Sequence, residues 1–207
     1  MDNVCKVDLE LTRGTGNPFA AYFRKLIIEE TSSIKVAGFS FMVSDPKYNY
    51  MNISCLLYKA LSSLKFEDRG EVIRNKFQVS FDGCLTYDDL DGLNVIRENN
   101  NNVILDIGFD CHITLTLYLL KGKGIIAPVD VKNLLLEELN YNENLRNCIC
   151  LACNFTDVIV KADVEHSYKN DTVSFEIITP DGSSRRRLSE AIDLLYSEIE
   201  QIKKYKL

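Results

Sequence analysis

Toward the C-terminus the chain sets Leu188, Ile192, Leu195, Ile199 and Ile202 apart by four, three, four and three residues. That spacing belongs to a helix with a narrow, heptad-like apolar seam, and from about residue 185 it runs roughly 30 Å at about 1.5 Å per residue. So regular a seam needs a second helix against it. Residues 18–30 supply one candidate: Phe19, Tyr22, Phe23, Leu26 and Ile27 fall at i, i+3, i+4, i+7 and i+8, a continuous stripe with Arg24 and Lys25 off it. Burying five such side chains contributes on the order of 10 kcal/mol before entropy is subtracted. The C-terminal seam therefore meets the 18–30 helix of its own chain, or a copy of itself on a second chain, or both.

The other segments are read around these two helices. Residues 6–11 alternate, apolar at Val7, Leu9 and Leu11, as in a half-exposed strand. Arg13-Gly14-Thr15-Gly16 is a turn, with Gly14 and Gly16 as backbone-turn glycines. Asn17 stands where an N-cap belongs and Pro18 at the first helical position. Strands are expected at 34–43, 77–81, 103–107 and 113–119, helices at 51–64 and 129–139, and a loop at the Asn tract 99–102. Residues 148–153 and 157–166 are strand-like, and 173–179 is the partner strand of the latter. Pro180-Asp181-Gly182 then turns into the long helix. The pattern is α+β: a domain of 1–45 and 148–207, an antiparallel sheet plus two helices built from both chain ends, with a mixed α/β domain of 46–147 inserted.

Composition narrows the function. A chain of 207 residues with 46% apolar and 26% charged residues is an ordinary globular protein of one or two domains. A net charge of −6 argues against a chain whose main work is coating phosphates. With two His and no Trp, His-dependent catalysis is a poor expectation, and no P-loop or triad pattern occurs. No apolar run approaches the roughly 20 residues that span a bilayer. Met1-Asp2-Asn3 leads straight into a strand pattern, so no signal or transit peptide is expected.

Seven Cys, an odd and scattered set, point to reduced thiols. Cys148, Cys150 and Cys153 cluster, which leaves a thiol or metal site open. A structural zinc site wants four ligands in loops, however, and here three lie in an apolar strand-like stretch, which favours small hydrophobes. Asp88-Asp89-Leu90-Asp91-Gly92 lacks the spacing of a calcium loop and reads as a solvated acidic loop. Arg185, Arg186 and Arg187 read as a solvated helix end rather than a nucleic-acid patch. No metal or cofactor is expected.

Several of these segments also occur together elsewhere. Arg13-Gly14-Thr15-Gly16 leads into Phe23-Arg24-Lys25-Leu26-Ile27-Ile28. Ser63-Leu64-Lys65, Gly122-Lys123-Gly124-Ile125, Ala152-Cys153-Asn154-Phe155-Thr156-Asp157-Val158 and Glu176-Ile177-Ile178-Thr179-Pro180-Asp181-Gly182 follow in order. This series resembles the N-terminal assembly part of the alpha subunit of bacterial and plastid multisubunit RNA polymerase, across residues 6–203. There are departures. The family's His-Glu pair is missing from Val43-Ser44-Asp45-Pro46-Lys47, its Leu-Gly-Asn is replaced by Phe19-Ala20-Ala21, and its acidic helix opening by Arg185-Arg186-Arg187, a poor match to the helix dipole.

The resemblance implies a non-catalytic assembly platform. Such a subunit homodimerises through the helices of the end-built domain and scaffolds two catalytic large subunits, beta and beta-prime. The nucleotidyl transfer of DNA-directed RNA polymerase then resides in those larger chains. On this reading Phe19, Tyr22, Phe23, Leu26, Ile27, Leu188, Ile192, Leu195, Ile199 and Ile202 form core and dimer interface, purely intrachain packing being the alternative for each. Arg24, and more weakly Arg13, Lys25 and Lys65, are large-subunit contacts. Family members continue into a second, DNA-binding domain; with the chain stopping at Leu207, no direct DNA binding and no membrane association are expected. Asn, Ile and Lys enrichment favours a plastid over bacterial cytoplasm. A stand-alone homodimeric module, or a thiol or metal protein centred on Cys148, Cys150 and Cys153, remains the alternative, as does the heterodimeric archaeal or eukaryotic counterpart.

Overall fold

The computed structural model describes residues 3–45, 49–67, 75–97 and 101–205, with side chains to residue 202. Pro46 and Lys47, and the Asn tract at 99 and 100, lie outside the described residues. In chain order come β1 (Val4–Thr12), α1 (Gly16–Lys25), a π-helical turn (Leu26–Glu30), β2 (Ser33–Val43), α2 (Tyr50–Ser62), β3 (Lys76–Asp82) and β4 (Cys84–Thr86). A 3₁₀ turn (Asp88–Leu90) precedes β5 (Val103–Asp106), β6 (His112–Gly122), β7 (Ile125–Ile126) and α3 (Pro128–Glu138). The remainder is β8 (Ile149–Cys150), β9 (Cys153–Asn154), β10 (Ile159–His166), β11 (Asn170–Ile178) and α4 (Ser184–Tyr205). No described helix is long and apolar enough to cross a membrane.

This mixed α+β chain divides into two compact units, Met1–Ser33 with Phe155–Leu207, and Ile34–Asn154. The divisions fall earlier and later than the expected 45/46 and 147/148. The reason is β2: it lies between β6 and β8 in the four-stranded sheet, and its Val36, Phe39 and Phe41 belong to the middle unit's core. An apolar strand pattern cannot say which of two sheets it will join.

In the end-built unit the sheet order is β1-β11-β10, both pairings antiparallel. Val7, Leu9, Val173, Phe175, Ile177 and Val160 share one face, as period-two alternation requires, and α1 and α4 cover it. The buried side of α1 and the π-helical turn is centred on Ala20, Phe23, Leu26 and Ile27, so the small Ala20 meets the core while Tyr22 turns outward. Phe23 stacks with Phe19 at 5.4 Å and meets Phe175 edge-on at 5.2 Å.

The start of α1 corrects the capping expectation. Thr15, not Asn17, is the N-cap, and it makes no side-chain cap. Instead Asp171 Oδ2, from β11, accepts from the Gly14 and Gly16 amides at 2.8 and 2.9 Å. Close approach makes this possible: a Cβ on Gly16 would lie 2.7 Å from Val164 Cγ1 and 2.9 Å from Asp171 Cβ. Gly14 has φ +85°, the left-handed region.

The middle unit has a four-stranded sheet in the order β3-β6-β2-β8. Ile53, Leu57 and Leu61 of α2 are buried in its core with Ile113, Leu115 and Leu117 of β6. The Asn49 side chain caps α2, accepting from the Met51 and Asn52 amides at 2.9 and 3.3 Å. The single strand expected at 148–153 is two short ones. β8 pairs with Phe39 and Gly38 of β2, and β9 with β7. Between them the chain changes partner, while Leu151 donates its amide to the Ala37 carbonyl at 2.8 Å.

Candidate functional site

The apolar seam of α4 changes character along its length. Ala191 is fully buried, and Leu188, Ile192 and Leu195 pack half-buried against the core of their own unit. Beyond them Ile199 and Ile202 are 39% and 56% exposed, and Tyr196 66%. One part of the seam is thus satisfied within the chain, while its continuation stands open in the single chain. Tyr22, on α1, faces this stretch and donates its hydroxyl to Glu198. That hydrogen bond, with burial and the neighbouring carboxylates adding to it, pushes the Tyr22 phenol up to about 12.

The three arginines at the head of α4 are not a solvated end. Arg185 is exposed, but Arg187 is fully buried. Its guanidinium donates to Thr31 Oγ1, the Phe155 carbonyl and Ser183 Oγ, each at 3.2 Å, and Asp157 Oδ1 lies 3.4 Å away. Burial pulls its pKa below the ordinary value, with Asp181 and Asp157 opposing. Arg186 donates to the Ser32 carbonyl at 2.6 Å and pairs with Glu190, which itself accepts from the Ser32 amide at 3.0 Å. Asp181, accepting from the Ser183 amide at 3.1 Å, supplies the negative charge that this helix start wants. The sequence holds a signal for this, an Asp six residues before the last Arg of the run. Its acceptors at Thr31 and Phe155, however, are far away along the chain.

Of the expected large-subunit contacts, Arg24 is exposed off the buried stripe with no ion pair among the described residues. Lys25 faces Glu29 at 3.8 Å. Arg13, in the turn that opens α1, lies over the Tyr168 ring at 5.7 Å. Lys65 belongs to the middle unit, where its carbonyl accepts from the Ile96 amide at 2.8 Å.

The cysteine cluster has little of the chemistry of a metal site. Cys148 and Cys150 are half-buried and Cys153 is buried. Burial, with Cys150 adjacent, pushes the Cys148 thiol up to about 12, and burial pushes Cys153 to about 11. Nucleophilic attack requires the thiolate, which such surroundings disfavour. Among the described residues no group of three or more His, Cys, Asp or Glu is arranged to hold a metal. In the acidic loop, Asp89 Oδ2 accepts from the Thr86 amide and hydroxyl at 2.8 and 2.7 Å. Asp88 is bonded by Asn102 and Arg97, which hold its carboxyl below the ordinary range. Both side chains are already engaged in holding the loop.

No protein-family model matches the chain, and no curated protein matches it.

Proposed function

We propose that this chain is a non-catalytic assembly subunit of the alpha type in a DNA-directed RNA polymerase. It homodimerises and scaffolds the two catalytic large subunits, beta and beta-prime, for DNA-templated transcription. The observation that carries the reading is the divided seam of α4. Leu188, Ile192 and Leu195 anchor the helix, while Ile199 and Ile202 continue the same apolar line uncovered. An apolar seam held rigidly by its own first half is suited to a copy of itself. The resemblance of the ordered segments across residues 6–203 adds the identity of the larger partners. A plastid is the proposed compartment, with bacterial cytoplasm the alternative.

The test separates dimerisation from folding. Ile199→Asp and Ile202→Asp place a charge on exposed positions, so the chain stays folded by circular dichroism and sediments as a monomer. Leu195→Asp, by contrast, disturbs the core as well. Arg24→Ala keeps the dimer and weakens co-purification with the large subunits. A dimer persisting in Ile199→Asp with Ile202→Asp contradicts the seam assignment, and a dimer that never brings down large subunits favours a stand-alone homodimeric module.

A further inference from the structure

We propose that Tyr22 is a strap for the far half of α4: through Glu198 it holds residues 196–202 in line with the anchored half, so that Ile199 and Ile202 are set in place before a second copy arrives. The use of the strap rests on the dimer reading, while the strap itself is a property of the single chain.

α4 is fastened unevenly. At its head Arg187 bonds to Thr31 and Phe155, Arg186 bonds to Ser32, and Ala191 is fully buried. Leu188, Ile192 and Leu195 then pack against the core, and after them the apolar cover ends: Tyr196, Ile199 and Ile202 are exposed. From Tyr196 to its end at Tyr205 the helix runs roughly 15 Å farther, at about 1.5 Å per residue. So short a stretch has little helical stability of its own, because helices in proteins are held chiefly by tertiary packing. Its direction is set by contacts beside the seam rather than in it.

Tyr22 Oη, donating to Glu198, supplies such a contact. The donor stands on the outward side of α1, one residue before Phe23, which is fully buried and packed edge-on against Phe175. The strap is thus tied to a helix that is itself anchored at the neighbouring residue. In the heptad that sets Ile192 and Ile199 at a, with Leu188, Leu195 and Ile202 at d, Glu198 is a g position. Tyr196 is the e position on the opposite flank. Tyr22 therefore takes up one flank of the seam, and a second helix meets it from the flank of Tyr196. The phenol, pushed up to about 12, keeps its proton and remains a donor at neutral pH.

The experiment is hydrogen–deuterium exchange on the full chain, diluted until it sediments as a monomer, followed by sedimentation across a range of concentration. Tyr22→Phe removes the hydroxyl and keeps the ring. Peptides within 196–205 then exchange about fivefold faster, the scale of one net hydrogen bond, while those within 184–195 do not change. Glu198→Ala behaves like Tyr22→Phe, and Glu198→Gln, which keeps an acceptor oxygen, retains most of the protection. The dimer dissociation constant of Tyr22→Phe rises by a similar factor, because the helix end must be ordered again on binding. Unchanged exchange in Tyr22→Phe overturns the strap and leaves the dimer reading standing. Faster exchange with an unchanged dissociation constant overturns the use of the strap in assembly. A wild-type chain that is monomeric at every concentration, with Tyr22→Phe still exchanging faster, overturns the dimer reading and upholds the strap.

Discussion

Arg187 Nη1 donates a 3.2 Å hydrogen bond to the Thr31 hydroxyl, joining the first turn of α4 to the segment that leaves the π-helical turn. The same nitrogen reaches the Phe155 carbonyl, so one buried cation gathers three separate stretches of chain. Removing it leaves buried acceptors without a donor and the neighbouring aspartates without their cation. Arg187→Ala therefore lowers stability by about 3–5 kcal/mol. Arg187→Lys recovers only part of this, because one ammonium cannot serve Thr31, Phe155 and Ser183 at once. Urea unfolding followed by circular dichroism measures both, and an unchanged midpoint in Arg187→Ala contradicts the account.

Asp171 gives the fold an acid limb. Its carboxyl is held below the ordinary 3.8 by the hydrogen bond with His166, then by the Gly16 and Gly14 amides. A carboxyl whose folded pKa is depressed adds stability that is fully present above the unfolded value and is lost as pH falls through the folded one. Wild type thus weakens progressively below about pH 4. Asp171→Asn is less stable at neutral pH and shows a flatter acid limb. Parallel stability curves for the two proteins between neutrality and pH 3 would refute this.

Thiol reactivity follows the same logic with the opposite sign. Cys148 and Cys153 are raised to about 12 and about 11 from an ordinary 9.0, chiefly by burial. Their neutral forms support the fold below 9.0, and that contribution disappears as pH climbs through the raised values. At pH 8 a brief iodoacetamide pulse labels the exposed Cys55 first and spares both until the chain unfolds. Peptide mass spectrometry reads the order, and early labelling of Cys148 or Cys153 removes the case for inert core thiols.

What could be read from the sequence was local in origin. Period-two alternation located β1 and β11, because neither needs information beyond its own residues and a neighbouring turn. The spacing of Leu188, Ile192 and Leu195 likewise marked the covered face of α4. Residues that act at long range are not legible in this way. Asn17 has every local qualification for an N-cap, yet Asp171 takes the role from across the sheet. Three consecutive arginines are the composition of a solvated surface, and only Thr31, Phe155 and Asp157 arriving from elsewhere make Arg187 a core residue. Tyr22 matched the helical stripe by spacing, but the face that meets the sheet is set by the small Ala20 beside Phe23 and Ile27.

The pairing of Thr12 with Asn170 and of Val4 with Ile178 fixes an order of events on the ribosome. β1 and α1 leave the exit tunnel before β10 and β11 and have no sheet to join until that hairpin has been made. At ordinary translation speeds that interval is on the order of 10–30 s. The middle unit, whose strands lie almost wholly within its own stretch of chain, can close during the interval. Val7, Leu9, Phe23 and Ile27 meanwhile lack the strands that cover them in the folded unit.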